Sequence, residues 1–250
     1  MRTEYYKIPS YNLSMDMEFK VYGYSGKPVL AFPCTAQKFY DFENMGMIDA
    51  ISYFINNGII RLYCADTIDY ETWDNVWAHP AERMIRHNDY DNYIIHELVP
   101  FIYEHSNSRT GIMTTGVSMG ATHAANFFFR HPDVFDSVIA LSGIYKASFF
   151  LGDYMDENIK LNSPIDFLSD LEDEWFLEKY RQSQLVFCVG QGAWEDPMLG
   201  NTLELKRIFE EKNIPAWVDI WGNDVCHDWP WWHKQMPYFL QKLLIEDNSL

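Results

Sequence analysis

"GIMTTGVSMGATHAANFFFRHP", residues 111–132, sets one serine, Ser118, between Gly116 and Gly120, where two segments of opposite character meet. Upstream, "IMTTGV" is a short apolar and β-branched run with strand character. Downstream, "GATHAANFFFRH" reads as helix and stops at Pro132. A G-x-S-x-G pattern at such a junction has a physical reading. The turn from strand to helix is sharp enough to hold the central residue in strained backbone and leave its Oγ exposed, and the flanking positions have no room for a Cβ. Gly120, Ala121, Ala124 and Ala125 would let the helix lie close on a sheet. A purely structural Gly-Ser turn is the plainer alternative.

Working outward, short β-rich runs alternate with longer helical ones. "EYYKIPSYNL" and "MDMEFKVYGYSG" read as an antiparallel pair. "PVLAFPC", "IIRLYCA", "GIMTTGV", "SVIALSG", "QLVFCVG" and "AWVDIWG" follow as buried strands bounded by Gly, Pro, Asp or Asn. Helical patterns lie between them, among them residues 44–58, 80–106 (with a break expected near 88–92), 120–131, 197–214 and 229–246. Alternation sustained in this way predicts a mostly parallel sheet covered by helices on both faces, in a single domain spanning 1–250. Residues 144–182 carry helical material without a strand. That stretch reads as a short helical insertion, expected to cap the strand ends.

With 36 Asp and Glu against 19 Lys and Arg, the chain carries a formal net charge of −17, which opposes nucleic-acid binding. No apolar run approaches the ~18 residues that a membrane span needs. The first residues lack the apolar core of a secretory signal, so a cytoplasmic location is expected. Four cysteines without tight spacing do not make a disulfide framework. No HExxH, zinc-type Cys/His pairing or phosphate-binding glycine loop occurs, so neither metal nor cofactor is expected.

A serine hydroxyl becomes a useful nucleophile only when a base takes its proton, and the base needs a carboxylate to orient it. Three histidines follow Ser118. His131, in "RHPD", reads as a helix C-terminal cation. His233 falls within the last helix. His227, in "GNDVCHDWPWWHKQM", follows the last strand and its loop, and is the expected base; Asp228 reads as the helix N-cap. The acid should lie after "QLVFCVG", in "QGAWEDP", where Glu195 and Asp196 compete. Asp196 is placed ahead because the start of a helix would hold it rigidly, with Glu195 as the alternative. The backbone N–H of Met119 is one expected oxyanion donor, and an amide after "VLAF" the other; Pro33 has no N–H, so the second donor is expected elsewhere in residues 32–37, with Phe32 the choice.

The GVSMGA core, the "HDWPWW" histidine segment and the "GQGAWEDP" acid loop resemble the putative-esterase family of α/β-hydrolases, from about residue 17 to 245. That family includes feruloyl and acetylxylan esterases, S-formylglutathione hydrolases and mycolyltransferases. "CTAQKF", residues 34–39, resembles the oxyanion loop of the S-formylglutathione hydrolase branch. The resemblance implies an α/β-hydrolase fold, puts Phe32 at the family's backbone donor and Asp196 at its acid, and implies hydrolysis of small carboxylic esters through an acyl-enzyme. No separate sugar-binding domain is visible. A thioesterase or acyltransferase on the same triad, or an inactive binding protein that keeps the fold, are the alternative readings. The expected partner is a small-molecule ester, and a homo-oligomer is compatible with the sequence. Trp194 is expected to wall the substrate pocket, Trp231 and Trp232 to fill space between the last helix and the sheet, and residues 65–80 to form a surface loop that could border the site.

Overall fold

A computed structural model describes residues 1–246. Eight strands form one sheet in the order β1-β2-β4-β3-β5-β6-β7-β8. They are β1 (Thr3–Ser10), β2 (Met15–Tyr22), β3 (Lys27–Phe32), β4 (Ile60–Ala65), β5 (Ile112–Val117), β6 (Phe135–Leu141), β7 (Gln184–Val189) and β8 (Ala216–Ile220). β1 and β2 enter as the expected antiparallel pair, and β2 joins β4 antiparallel. From β4 to β8 every pairing is parallel. This is the α/β-hydrolase sheet. Parallel neighbours require crossovers, and the helical segments supply them.

Between β3 and β4 lie α1 (Asp41–Asn44), α2 (Met47–Ala50) and α3 (Ser52–Asn56); α4 (Pro80–Tyr93) and α5 (Val99–Ser106) precede β5. α6 (Met119–Arg130) follows β5, and α7 (Ser148–Leu151), α8 (Glu157–Leu161), α9 (Pro164–Ser169) and α10 (Glu174–Arg181) separate β6 from β7. α11 (Asp196–Glu211) and α12 (Trp229–Gln241) complete the set.

Both faces of strands β3 to β7 are buried, and β8 at the sheet edge is half-buried, so neighbouring side chains alternate between two cores. Leu30, Phe32, Val138, Ala140, Leu185 and Phe187 join the core under α4, α6 and α11. Their neighbours Val29, Ala31, Ile139, Leu141, Val186 and Cys188 join the core under α1–α3 and α12. Phe32 and Phe127 stack with ring centroids 5.0 Å apart and fasten α6 to β3. Truncating either to Ala would cost about 3–5 kcal/mol, since each is fully buried.

Local sequence explains several helix starts. Pro80 sits at the first position of α4, and the His79 side chain accepts the Ala81 N–H. Asp228 caps α12, accepting the Trp229 N–H, as expected. The break expected near 88–92 lies further on: α4 runs through to Tyr93 and gives way to a π-helical turn, Ile94–Leu98. Pro100 explains the position, because it withholds an N–H from the carbonyl of His96. The insertion 144–182 forms α7–α10, with α8 against α4 and α9 against α11. Among the described residues no helix is long and apolar enough to cross a membrane.

Candidate active site

Ser118 stands between β5 and α6 with φ +56° and ψ −123°, outside the ordinary regions for a side-chain-bearing residue. Its N–H donates to the Leu141 carbonyl at 2.9 Å, which fixes the turn to the end of β6. The two flanking glycines are steric necessities. A Cβ on Gly116 would lie 2.2 Å from the backbone carbon of Gly120, and one on Gly120 would lie 2.2 Å from the Phe32 oxygen.

His227 hangs from the loop after β8, and its N–H donates to the Ala193 carbonyl at 3.0 Å. The Gly192 N–H likewise donates to the Val225 carbonyl at 2.7 Å, so the loops after β7 and β8 are bound edge to edge. His227 Nε2 lies 2.9 Å from Ser118 Oγ. Its other nitrogen, Nδ1, lies 3.3 Å from Glu195 Oε2. An ionised carboxylate can only accept, so Nδ1 carries the proton and Nε2 is left to accept from the serine.

Glu195, and not Asp196, therefore faces the histidine. Glu195 is 1% exposed, and its other oxygen, Oε1, accepts the Ser142 Oγ–H at 2.6 Å and the Gly190 N–H at 3.4 Å. Asp196 begins α11 and points to solvent. The physical reason lies in the turn before them. Trp194 takes φ +69°, which swings residue 195 inward and residue 196 outward, and the longer glutamate arm then reaches the ring. The helix start that seemed to favour Asp196 holds its backbone but aims its side chain away.

A cleft of about 290 Å³ opens over Ser118 and His227 and is lined by Cys34, Thr35, Gln37, Asp41, Met45, Asp228, Trp229 and Trp232. Its side chains include two carboxylates and no lysine or arginine. Trp194 does not line it; the indole is 83% exposed. Neither the insertion 144–182 nor loop 65–80 contributes to the lining, so the expected cap does not cover this cleft. Loop 65–80 instead braces α6 from behind, where His123 lies 2.9 Å from Asp69 and both are buried.

Phe32 does not line the cleft either. It closes β3 opposite Gly116, with its ring in the core and its carbonyl against Gly120. The cleft wall comes from the next residues along. The Cys34 N–H donates to Asp41 Oδ2 at 2.9 Å, and Thr35 follows it at the rim. Asp41 is 3% exposed, and burial raises its carboxyl above the usual range, partly offset by the Cys34 amide. Burial, with Asp41 beside it, likewise raises the Cys34 thiol, which stays protonated. Met119 turns its side chain into a small cluster with Trp73 and Met84, and its N–H stands at the first position of α6.

Sequence reasoning passed over Ser142 and Asp41. Ser142 had a usable signal, a small polar residue before Gly143 at the C-terminal end of the strand beside β5. Asp41 had none, since its role depends on a contact seven residues back. Among the described residues no three His, Cys, Asp or Glu side chains converge as a metal site would need.

A nucleophile elbow, an imidazole at its oxygen and a buried carboxylate behind the imidazole define a hydrolase of the serine class on an α/β sheet. A family model described as Putative esterase matches residues 42–249, and the chain belongs to that family: it is a carboxylesterase of the α/β-hydrolase fold. No curated protein sequence matches it significantly. Among solved structures it is similar to a ferulic acid esterase (18% identity, TM-score 0.74, covering 97% of this chain and 98% of that one). It is also similar to an S-formylglutathione hydrolase from Staphylococcus aureus (14%, 0.68, 97% of each). MPT51 from Mycobacterium tuberculosis is a third (13%, 0.70, 98% of each). At these identities the likeness speaks to the fold.

Proposed function

We propose that the protein hydrolyses small, uncharged carboxylic esters through an acyl-enzyme on Ser118, with His227 as general base and Glu195 as the orienting acid. The observation that carries this is His227 itself, with one ring nitrogen 2.9 Å from Ser118 Oγ and the other 3.3 Å from buried Glu195. Ser118 Oγ attacks the ester carbonyl as His227 Nε2 takes its proton. The tetrahedral intermediate collapses, and His227 returns the proton to the departing alkoxide. Water, deprotonated by the same nitrogen, then attacks the acyl-enzyme and releases the acid. Glu195 holds the tautomer and stabilises imidazolium.

The oxyanion falls to backbone amides. Met119 is one donor, at the positive end of α6. Thr35 replaces Phe32 as the second, because Asp41 already occupies the Cys34 amide beside it. The size of the cleft, at the low end of ligand pockets generally, supports short acyl and alcohol groups. Its carboxylates, with no cation to offset them, support an uncharged substrate.

The test is hydrolysis of p-nitrophenyl acetate and butyrate by wild type, Ser118→Ala, Glu195→Gln and Asp196→Asn, together with fluorophosphonate labelling. Serine-dependent turnover that Glu195→Gln removes and Asp196→Asn spares is the expected result. A wild-type chain with neither turnover nor adduct would end this reading.

A further inference from the structure

Behind Glu195 lies a second serine whose placement is costly. Ser142 directly follows β6 with φ +56°, a left-handed conformation that glycine would adopt without strain, although Gly143 is the very next residue. The side chain is fully buried. Its N–H donates to the Cys188 carbonyl at 2.7 Å, which anchors it to the end of β7. A hydroxyl held there meets two partners. Ser142 Oγ donates to Glu195 Oε1 at 2.6 Å and accepts the Trp232 Nε1–H at 3.2 Å. Trp232 also sets its ring edge-to-face against His227, with centroids 4.9 Å apart and planes at 89°.

We infer that Ser142 and Trp232 are positioning residues of the catalytic apparatus, a fixed hydrogen-bond chain from Trp232 through Ser142 to Glu195 that orients the acid toward His227. This rests on the function proposed above. The chemistry explains the strain. A carboxylate with only the histidine as partner could turn about its last torsions, and a glutamate has one more of these than an aspartate. Donors to Oε1 from Ser142 and from the Gly190 N–H leave Oε2 free to face the ring. The Trp232 N–H fixes the direction of the Ser142 proton, because it occupies the lone pair on the far side. The edge-to-face contact restrains the imidazole as well. One tryptophan thus bears on both members of the acid–base pair. Cys188 and Tyr145, which also lie near Glu195, are both pushed up chiefly by burial and stay neutral, while Asp196, next along the chain, faces solvent.

Ser142→Gly is the decisive variant, because it removes the hydroxyl while relieving the backbone strain. The full chain is compared with Ser142→Gly, Ser142→Ala and Trp232→Phe for kcat, KM and the pH profile of kcat/KM on p-nitrophenyl acetate, alongside thermal melts. Ser142→Gly is expected to melt higher than Ser142→Ala, which keeps the strained backbone, yet to lose roughly 10- to 100-fold in kcat with KM little changed, the scale of a hydrogen bond to a charged group. The acid limb of kcat/KM should move to higher pH in both serine variants, because a carboxylate stripped of a donated proton takes up H⁺ more readily. Trp232→Phe keeps the edge-to-face contact and should lose less. If Ser142→Gly and Ser142→Ala keep wild-type kcat and an unmoved acid limb, the inference is overturned. A wild-type chain without serine-dependent turnover removes the proposed function, and this inference with it.

Discussion

Glu195 and His227 meet across 3.3 Å at the join of two loops that share backbone hydrogen bonds, while Asp196, one residue on, faces solvent. The pairing separates two adjacent carboxylates that differ by one methylene and one position. Glu195→Gln should lower kcat on p-nitrophenyl acetate by on the order of 10⁴, the scale seen when a triad acid becomes an amide. Asp196→Asn should stay within about twofold, as a solvated surface change does. Steady-state kinetics of the two variants side by side decide the matter, and the reverse pattern would return the acid to Asp196.

The elbow has no tolerance for a methyl group at Gly120, whose Cβ would meet a backbone oxygen rather than a movable side chain. Gly120→Ala should lose about 1–3 kcal/mol, as overpacking does, and should displace Ser118 from His227. For a chain of this length that is a fall of several degrees in Tm. Ser118→Ala should melt like wild type and lose about 10⁶ in kcat. Melting curves and turnover of this pair distinguish damage to the scaffold from removal of the nucleophile.

Asp41 gives the stability a defined pH dependence. Burial raises its carboxyl in the folded chain, so the folded state holds that proton more tightly than the unfolded one. Stability from this group is therefore intact below the ordinary aspartate range and falls as pH rises through the raised value. Asp41→Asn, which can still accept the Cys34 N–H, should match wild type near pH 3.5 and melt higher at pH 7. Asp41→Ala strands that amide and should cost about 1–3 kcal/mol. Thermal melts from pH 3 to 8 test both signs.

An acidic cleft on a chain of net charge −17 should discriminate by substrate charge. At low ionic strength, kcat/KM for p-nitrophenyl butyrate should exceed that for the anionic p-nitrophenyl monosuccinate by at least about tenfold, and salt should narrow the gap. An equal or reversed preference would show that a cation reaches the substrate from outside the cleft.

Several features were readable because they depend on a few consecutive residues. The elbow needed only Gly116, Ser118 and Gly120 with a strand before and a helix after. His227 could be picked out because it followed the last strand while Asp228 opened the next helix, as the cap confirms. The site failed to read through wherever direction mattered. The second oxyanion donor could be narrowed only to residues 32–37, and Phe32, the choice among them, belongs to a strand end while the cleft wall begins at Cys34. Trp194 sat beside the acid in sequence, but its positive φ sends the indole into solvent.

By itself the sequence determined the alternating architecture, the strands along the chain and the serine at the end of the fifth, since hydrophobic period, turn residues and steric room at glycine are local properties. Only the tertiary structure decided which carboxylate meets His227, which serine stands behind it and which walls bound the cleft. Those choices rest on where a side chain points after a turn and on which loops lie edge to edge. Such contacts join residues from positions 118, 142, 195, 227 and 232, and no spacing along the chain encodes the angles between them.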